Sequence, residues 1–357
     1  MVDIARCPEC NIAQQIADEH LWLNSGVIVS KSDPKLRMAF AETENLDPVY
    51  EGVAEMIGVP IERFIIDVER KGTRDYFTPI IPREIKDMVQ KHEISLDPII
   101  DAVIITNITN GLGRYEPVDY RYEIDDEDYI TVLSYDTHCL PLALGDIAGG
   151  CEAVVEREYT NLSYKQLGPT KYEMTAGVAK VSQGLRGRLE RKEYEHRDGE
   201  IEFERCPGCG APTALAEFKW DSETGIIRSA SNGRRMGVIH PTVIDPIFEE
   251  LQAELGESIP AAVIESQKRF TKTGFHKVEE LANKEQFREQ LALRGMGDLK
   301  ELKTGREGLS LRLDYPCMHL MTVGMIQGLF EMTFDVESNV EWELSADDIL
   351  RMEIKPS

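Results

Sequence analysis

Apolar and polar residues follow two kinds of pattern along this chain, and the patterns occur in a fixed order. Val49, Val53 and Ile57 have the spacing of one face of a helix, and Gly58 follows as a predicted helix end. Residues 129–135 instead alternate and are rich in the β-branched and aromatic residues that strands favour, and a further strand is predicted around 156–159. Helices that precede strands in this way predict an α+β fold, in which helices pack on a mainly antiparallel sheet.

The helical stretch at residues 47–77 recurs 198 residues later, at residues 245–275. Eight of its 31 positions are identical without a gap, beginning with Asp47 and Asp245. Each of these aspartates precedes a proline and is predicted to cap the helix of its own repeat. Self-similarity at a fixed offset is the sign of a duplicated structural unit. The sequence therefore predicts two tandem copies of one α+β domain, related by an internal pseudo-twofold axis.

Each predicted copy opens with a CxxC turn, which we expect to form a knuckle, followed by a hairpin. The turn reads CPEC at residues 7–10 and CPGC at residues 206–209. The predicted boundaries are 1–180 for copy one and 205–357 for copy two, with a charged linker at 181–204. Each copy then has the usual size of a domain.

The amino-acid composition argues against some classes of binding partner. The chain has 357 residues, of which 42% are hydrophobic and 29% charged, and its formal net charge is -24. Such an acidic surface repels phosphate backbones and anionic lipid headgroups, so we expect neither nucleic acid nor a membrane as a partner. No run reaches the roughly 18 apolar residues of a membrane span, and the first residues lack the apolar core of a signal peptide. We therefore expect a cytoplasmic protein whose cysteines stay reduced or bind metal.

The two CxxC turns are the sharpest chemical signal in the sequence. A CxxC turn presents two thiolates to one tetrahedral metal ion, and each copy carries one such turn near its start. We therefore predict a single zinc site shared by the copies, with Cys7, Cys10, Cys206 and Cys209 as its ligands. Four thiolates leave no open position, so this zinc would be structural. The alternatives are that each pair is a surface turn, a redox pair or a vestige.

A second set of cysteine, histidine and tyrosine residues stands where predicted strands end and glycine-bearing helices begin. These groups could line a pocket, bind a metal, or supply a nucleophile and a base. Free cysteines are also commonly buried as small hydrophobic residues, so we assign no catalytic residue. The predicted ligand-binding residues are Tyr135, His138 and Cys139 in copy one, and Tyr315, Cys317 and His319 in copy two.

Matched cations recur on the second helix of each copy. Arg70 and Arg74 correspond to Lys268 and Lys272 at the offset of 198. They could bind a ligand carboxylate. The alternative is a solvated helix face on which they pair with Asp67 and Glu265.

The latter part of each copy resembles the 4-vinyl-reductase-type, or hydrocarbon-binding, domains. The resemblance rests on residues 139–149 running into 152–156 in copy one, and on 323–328 running into Phe330 and Glu331 in copy two. It implies a small-molecule pocket and a paired arrangement of domains. The family's own zinc site uses cysteines in the closing strands, and this chain lacks them, so we do not expect that site here.

Three functions remain open at this point. The first is a binding protein for an apolar or aromatic small molecule, with a structural zinc site. The second is a zinc-stapled accessory or scaffold subunit of a larger enzyme complex. The third is an enzyme that uses the Cys and His groups at 138–139 and 317–319.

Overall fold

The computed structural model describes residues 4–179, 193–194, 196–275, 281 and 283–357. These residues form ten α-helices and three sheets with antiparallel strand pairing, which agrees with the predicted α+β class. Most of the predicted linker, namely 181–192 and 195, lies outside the described residues. None of the described helices combines the length and apolar character that a membrane span requires.

The helices form largely where apolar residues recur at helical spacing. Gly58 ends the second helix in the left-handed conformation, with φ at 70°, as the sequence predicted. The helices, in chain order, are α1 (Gln14–Glu19), α2 (Leu46–Ile57), α3 (Glu62–Ile80), α4 (Arg83–Gln90), α5 (Asp97–Thr109), α6 (Leu140–Val155), α7 (Pro241–Leu255), α8 (Ser258–Phe270), α9 (Lys284–Leu293) and α10 (His319–Phe334).

Two of the sheets have four strands each and the same strand order. One has the order β4-β5-β7-β6 and the other the order β11-β12-β14-β13. The strands are β1 (His20–Trp22), β2 (Ile28–Ser30), β3 (Arg37–Glu42), β4 (Arg114–Arg121), β5 (Tyr129–Tyr135), β6 (Asn161–Gly168), β7 (Lys171–Gly177), β8 (Phe218–Asp221), β9 (Ile226–Ser229), β10 (Arg235–Ile239), β11 (Asp298–Gly305), β12 (Gly308–Asp314), β13 (Ser338–Leu344) and β14 (Ile349–Pro356).

The third sheet has six strands and draws on both parts of the chain. We call residues 4–179 the first half and residues 196–357 the second half. The strand order β1-β2-β3-β10-β9-β8 places the hairpin of one half beside the hairpin of the other. At the centre, Phe40 pairs with Val238, exactly the residue 198 positions later. The two hairpins therefore share one continuous sheet, and the two halves are joined by backbone hydrogen bonds.

Each hairpin also rests on a helix of the opposite half. The Trp22 indole N–H donates to the carbonyl of Leu293 at 2.8 Å, at the end of α9. The Trp220 indole N–H donates to the carbonyl of Thr109 at 3.2 Å, at the end of α5. A buried indole N–H needs such an acceptor. These reciprocal contacts interlock the halves, so the hairpins do not pack only on their own half. The boundaries 1–180 and 205–357 stay predictions.

Helix α6 packs against α3, and α10 packs against α8 in the same manner. Glycines permit the close approach: a Cβ at Gly149 would lie 2.8 Å from the Thr73 Cβ, and one at Gly328 would lie 2.8 Å from the Thr271 Cβ. Neither distance leaves room for a side chain. The small-residue helices predicted from the sequence therefore serve helix packing.

The matched cations on α3, and on α8 and the turn that follows it, pair with buried glutamates of the packed helices. Arg70 donates to Glu152 at 2.5 Å, and Lys272 donates to Glu331 at 2.6 Å. Each glutamate also accepts a backbone N–H from the strand side, Tyr159 in the first half and Ser338 in the second. Arg70 and Lys268 also pair with Asp67 and Glu265 on their own helices, as the alternative expected. The alternative did not foresee the bonds to Glu152 and Glu331, nor that Arg70 is buried.

Two strands lie where the sequence did not indicate them. We expected a strand at 156–159, but β6 begins later, at Asn161. Strand β11 was not expected at all, because its sequence DLKELKTG is mainly polar and charged. Both are edge strands in their sheets, where one side faces no partner strand and charged side chains are tolerated.

Candidate functional site

The four cysteines of the two CxxC turns lie together. The Sγ atoms of Cys7 and Cys206 are 3.7 Å apart, those of Cys10 and Cys209 are 3.6 Å apart, and all four lie within 4.8 Å of one another. A zinc ion with Zn–S bonds of about 2.3 Å at tetrahedral angles places its sulfurs about 3.8 Å apart. The donor set and the spacing therefore fit one metal ion, and this cluster could bind one.

The two turns have matching backbone geometry, which aims their sulfurs at a common point. The Cys7 N–H donates to the Ile12 carbonyl and the Cys206 N–H to the Ala211 carbonyl, both at 2.9 Å. The backbone N–H groups of Cys10 and Glu9 lower the pKa of Cys7 to about 7, which favours its thiolate form.

Gly208 lets the two turns approach. A Cβ at this position would lie 2.9 Å from the Glu9 Cγ and 3.1 Å from the Cys7 Sγ. The first turn carries Glu9 where the second carries glycine, and only one of the two can have a side chain at this contact. The difference between CPEC and CPGC therefore follows from the meeting of the turns.

The stretches predicted to bind a ligand are held by arginines from the opposite half. Arg37, which is only 1% exposed, donates to the carbonyls of Gly295 at 2.8 Å, Tyr315 at 2.5 Å and Pro316 at 2.9 Å. Its counterpart Arg235 donates to the carbonyls of Gly111 at 3.1 Å and Thr137 at 3.3 Å. Carbonyl groups of the two loops are thus occupied by buried guanidinium groups.

His138 and Cys139 are buried and uncharged. Burial and the nearby Arg235 lower the pKa of His138 to about 3. Burial, together with the Asp47 carboxyl beside it, raises the pKa of the Cys139 thiol well above its ordinary value. A neutral imidazole beside a protonated thiol is not an activated nucleophile pair.

The corresponding groups of the second half are also packed into structure. The Cys317 thiol lies 3.6 Å from the Gly295 carbonyl, and the His319 ring lies 5.5 Å from that of Trp342. Tyr135 in the first half lies between two cations, Arg114 and Lys171. Tyr135 pairs with Arg114 in the first half, and Asp314 pairs with Asp298 in the second, so Tyr135 corresponds to Asp314 and not to Tyr315. The six predicted residues are therefore not equivalent one by one. Their role in ligand binding stays a prediction.

The repeated aspartates lie at the beginnings of these packed helices. The Asp245 carboxylate accepts the Met318 N–H at 3.1 Å, just before α10. Asp47 has the same place beside Cys139 and Leu140, where α6 begins, and burial raises its pKa. We expected both residues to cap the helices of their own repeat. Instead, Asp47 lies in the first turn of α2 and Asp245 lies inside α7. The side chain of each reaches the beginning of a helix that follows later in the chain.

A cavity lies in the first half between α5, α6 and strands β4 and β5. Its free volume is about 70 Å³, several times the roughly 10–15 Å³ that a buried water needs. Aliphatic side chains such as Ile100, Val103 and Val154 form most of its wall, with Asn107 and Cys151 among them. None of the six predicted ligand-binding residues, all described, lines this cavity.

In the second half, bulkier side chains occupy three of the positions that line this cavity. The backbone bond from Leu112 to Asn107 recurs as Met296 to Leu291, so Leu291 corresponds to Asn107. Along the packed helices, Gly150 and Cys151 correspond by position to Leu329 and Phe330, which are fully buried. The lining of the first half is thus smaller and more polar than its counterpart.

From the sequence we expect an apolar cavity between helices and sheet in each copy, near 135–139 and 315–319. The cavity of the first half is lined by other residues, although a signal for its position was present. Gly150 and Cys151 are small where Leu329 and Phe330 are large, and this difference could have been found by aligning the last helix of each half at an offset of 179. A local pattern of small residues does not show whether a neighbour fills the space. Here a Cβ at Gly150 would meet only Val103, at 3.9 Å.

Comparisons with known proteins add little to this geometry. No family model matches the sequence, and no curated protein matches it. Among solved structures, the chain is similar to the Fe(II) unliganded form of an H-NOX protein mutant from K. algicida, with a TM-score of 0.25 and 16% sequence identity. The match covers 40% of this chain and 83% of that chain. A likeness at this level carries no argument about fold or function.

Proposed function

We propose that this protein binds a small apolar or aromatic molecule in the cavity of its first half, and that a structural zinc ion staples the two halves together. The observation that carries the proposal is the cavity itself, which is lined by aliphatic and aromatic side chains with a few polar groups. Pockets of this composition are typical of small-molecule sites. The resemblance to hydrocarbon-binding domains implies the same class of ligand.

We further propose that the two halves are copies of one ancestral unit, arranged about a pseudo-twofold axis. The gapless repeat at an offset of 198, the shared strand order and the pairing of Phe40 with Val238 support this duplication. In such an arrangement the equivalent CxxC turns meet near the axis. Each copy then supplies half of one closed metal site.

Zinc is the metal we propose for the four cysteines. A set of four thiolates with no carboxylate or imidazole is typical of structural zinc sites, and it leaves no position for water or substrate. The ion would hold together two turns 199 residues apart. It would therefore constrain the arrangement of the halves rather than take part in a reaction.

The alternative of an enzyme is less well supported. Its proposed nucleophile and base in the first half are the buried Cys139 and His138, whose pKa values favour the neutral thiol and the neutral ring. Neither residue lines the cavity. An accessory role in a larger complex is compatible with the fold, but no contact in the structure favours it over ligand binding.

The test is a cavity-filling substitution that introduces the residue found at the corresponding position of the second half. Cys151→Phe introduces the side chain that Phe330 supplies at the corresponding position. We expect it to abolish the thermal stabilisation of the protein by small aromatic probes, because the space is then occupied. Native mass spectrometry of the unmodified protein should show a retained small molecule or its uptake from a probe mixture.

A matched control tests whether the loss of probe binding is specific to the cysteine that lines the cavity. Cys139→Ala removes a buried thiol that lies outside the cavity, so it should leave probe binding unchanged. If the Cys139 variant loses binding while the Cys151 variant keeps it, the ligand site lies at the strand end and the proposed location is wrong. If no probe from an aromatic library stabilises the unmodified protein, the proposed function is wrong.

A further inference from the structure

The cavity of the first half contains a buried amide without a partner. Asn107 is only 8% exposed and lies on α5 against the cavity. Its side chain makes no hydrogen bond to any residue that the structure describes, and its amide atoms are not fully enclosed by protein. A ligand in the cavity can therefore reach this amide and supply the missing hydrogen bond.

Most of the tyrosine hydroxyls around the cavity are engaged elsewhere. Tyr115 bonds Thr137 at 3.0 Å, and the hydroxyls of Tyr120 and Tyr129 donate to aspartates at 2.9 and 2.6 Å. Tyr159 differs: the residue is 3% exposed, and within the described chain no hydrogen bond reaches its hydroxyl. Asn107 and Tyr159 are thus the two lining residues with uncommitted polar groups.

The cavity offers no uncommitted charge. Its only charged lining residue among those described is Arg121, which donates to Asp125 at 2.6 Å and to Asp128 at 3.0 Å. A charged ligand would therefore be buried without a counter-charge, which is strongly unfavourable. The surrounding aliphatic wall favours a ring or another compact apolar body.

We infer that the cavity selects a neutral ring that carries one hydrogen-bonding group, and that Asn107 and Tyr159 recognise this group. The inference rests on the proposed function, because it specifies the ligand class of the same cavity. The second half supports it by contrast. There Leu291 stands in the place of Asn107, as the backbone bonds described above indicate. Ser338 stands in the place of Tyr159, because its backbone N–H donates to Glu331 as that of Tyr159 donates to Glu152. The polar pair thus belongs to the half that has the open cavity.

The experiment uses three probes of similar shape: p-cresol, p-xylene and p-toluate at pH 7. p-Cresol carries a hydroxyl, p-xylene carries a methyl in its place, and p-toluate carries a charge. Dissociation constants are measured by calorimetry or thermal shift on the full chain and on Asn107→Leu and Tyr159→Phe. The first variant introduces the residue of the second half, and the other removes a single oxygen, so both should fold.

We expect each variant to weaken p-cresol binding about fivefold to tenfold, the effect of losing one hydrogen bond, and to leave p-xylene binding unchanged or tighter. We expect p-toluate not to bind. Equal effects of the variants on p-cresol and p-xylene would overturn the recognition by Asn107 and Tyr159, while the proposed function would stand. Binding of p-toluate as tight as that of p-cresol would overturn the neutral class of ligand. If neither neutral probe binds the unmodified protein, both the inference and the proposed function are refuted.

Discussion

The buried guanidinium of Arg37 offers a quantitative test of how the two halves are joined. It donates three hydrogen bonds, to the carbonyls of Gly295, Tyr315 and Pro316 in the opposite half. The Tyr194 ring covers it at 5.0 Å. Replacing Arg37 with methionine keeps most of the volume and removes every donor.

The expected cost follows from the three acceptors that lose their donor. A buried polar group left without its partner costs about 1–3 kcal/mol. We take the lower end, about 1 kcal/mol for each carbonyl, because the substitution also removes the cost of burying the guanidinium itself. Arg37→Met should therefore destabilise the folded chain by about 3 kcal/mol.

Arg235 provides a matched control within the same chain. It occupies the equivalent position, is 9% exposed and donates to only two carbonyls at longer distances, 3.1 and 3.3 Å. Arg235→Met should cost no more than about 2 kcal/mol by the same argument.

Equilibrium urea unfolding of both variants, followed by tryptophan fluorescence, measures the two costs. The Cys317 thiol should also react faster with a thiol reagent in the Arg37 variant, because the loop that contains it loses its anchor. A cost below about 1 kcal/mol for Arg37→Met, or a larger cost for Arg235→Met, would refute the reasoning.

Two further predictions concern the metal and a buried acid. Replacing Cys10 and Cys209 with serine should remove the bound zinc and make the chain more sensitive to limited proteolysis between the halves. The helical signal in circular dichroism should stay unchanged. Elemental analysis that shows zinc still bound would contradict this prediction. Burial raises the pKa of Asp146 from its ordinary value of 3.8 to about 6, so its protonated form contributes stability below pH 4 that is lost as pH rises through 6. Asp146→Asn should therefore stabilise the chain more at pH 8 than at pH 4, and an equal effect at both pH values would contradict the assignment.

Local chemistry made several elements predictable from sequence. The helix that ends at Gly58 follows from the spacing of its apolar face and from the left-handed turn that glycine adopts readily. The CxxC turns follow from residues three apart in the chain, which fix two sulfurs on one side of a tight turn. The grouping of the four cysteines was also predicted, because each CxxC turn supplies two thiolates and a tetrahedral metal ion binds four.

Packing between distant segments decided the rest. Asp47 lies in the first turn of α2, yet its side chain reaches the beginning of α6, because the position of a side chain relative to another helix is set by tertiary contacts. The cavity depends on whether the space above Gly150 is filled, and no one-dimensional spacing records that volume. The carbonyls near Tyr315 meet Arg37 across 278 positions, a contact that no local pattern indicates. The sequence by itself determined most of the elements, though not β6 or β11, and the residues that can hold a metal. The tertiary structure decided which half each element contacts and where space remains, because both depend on side chains brought together from distant parts of the chain.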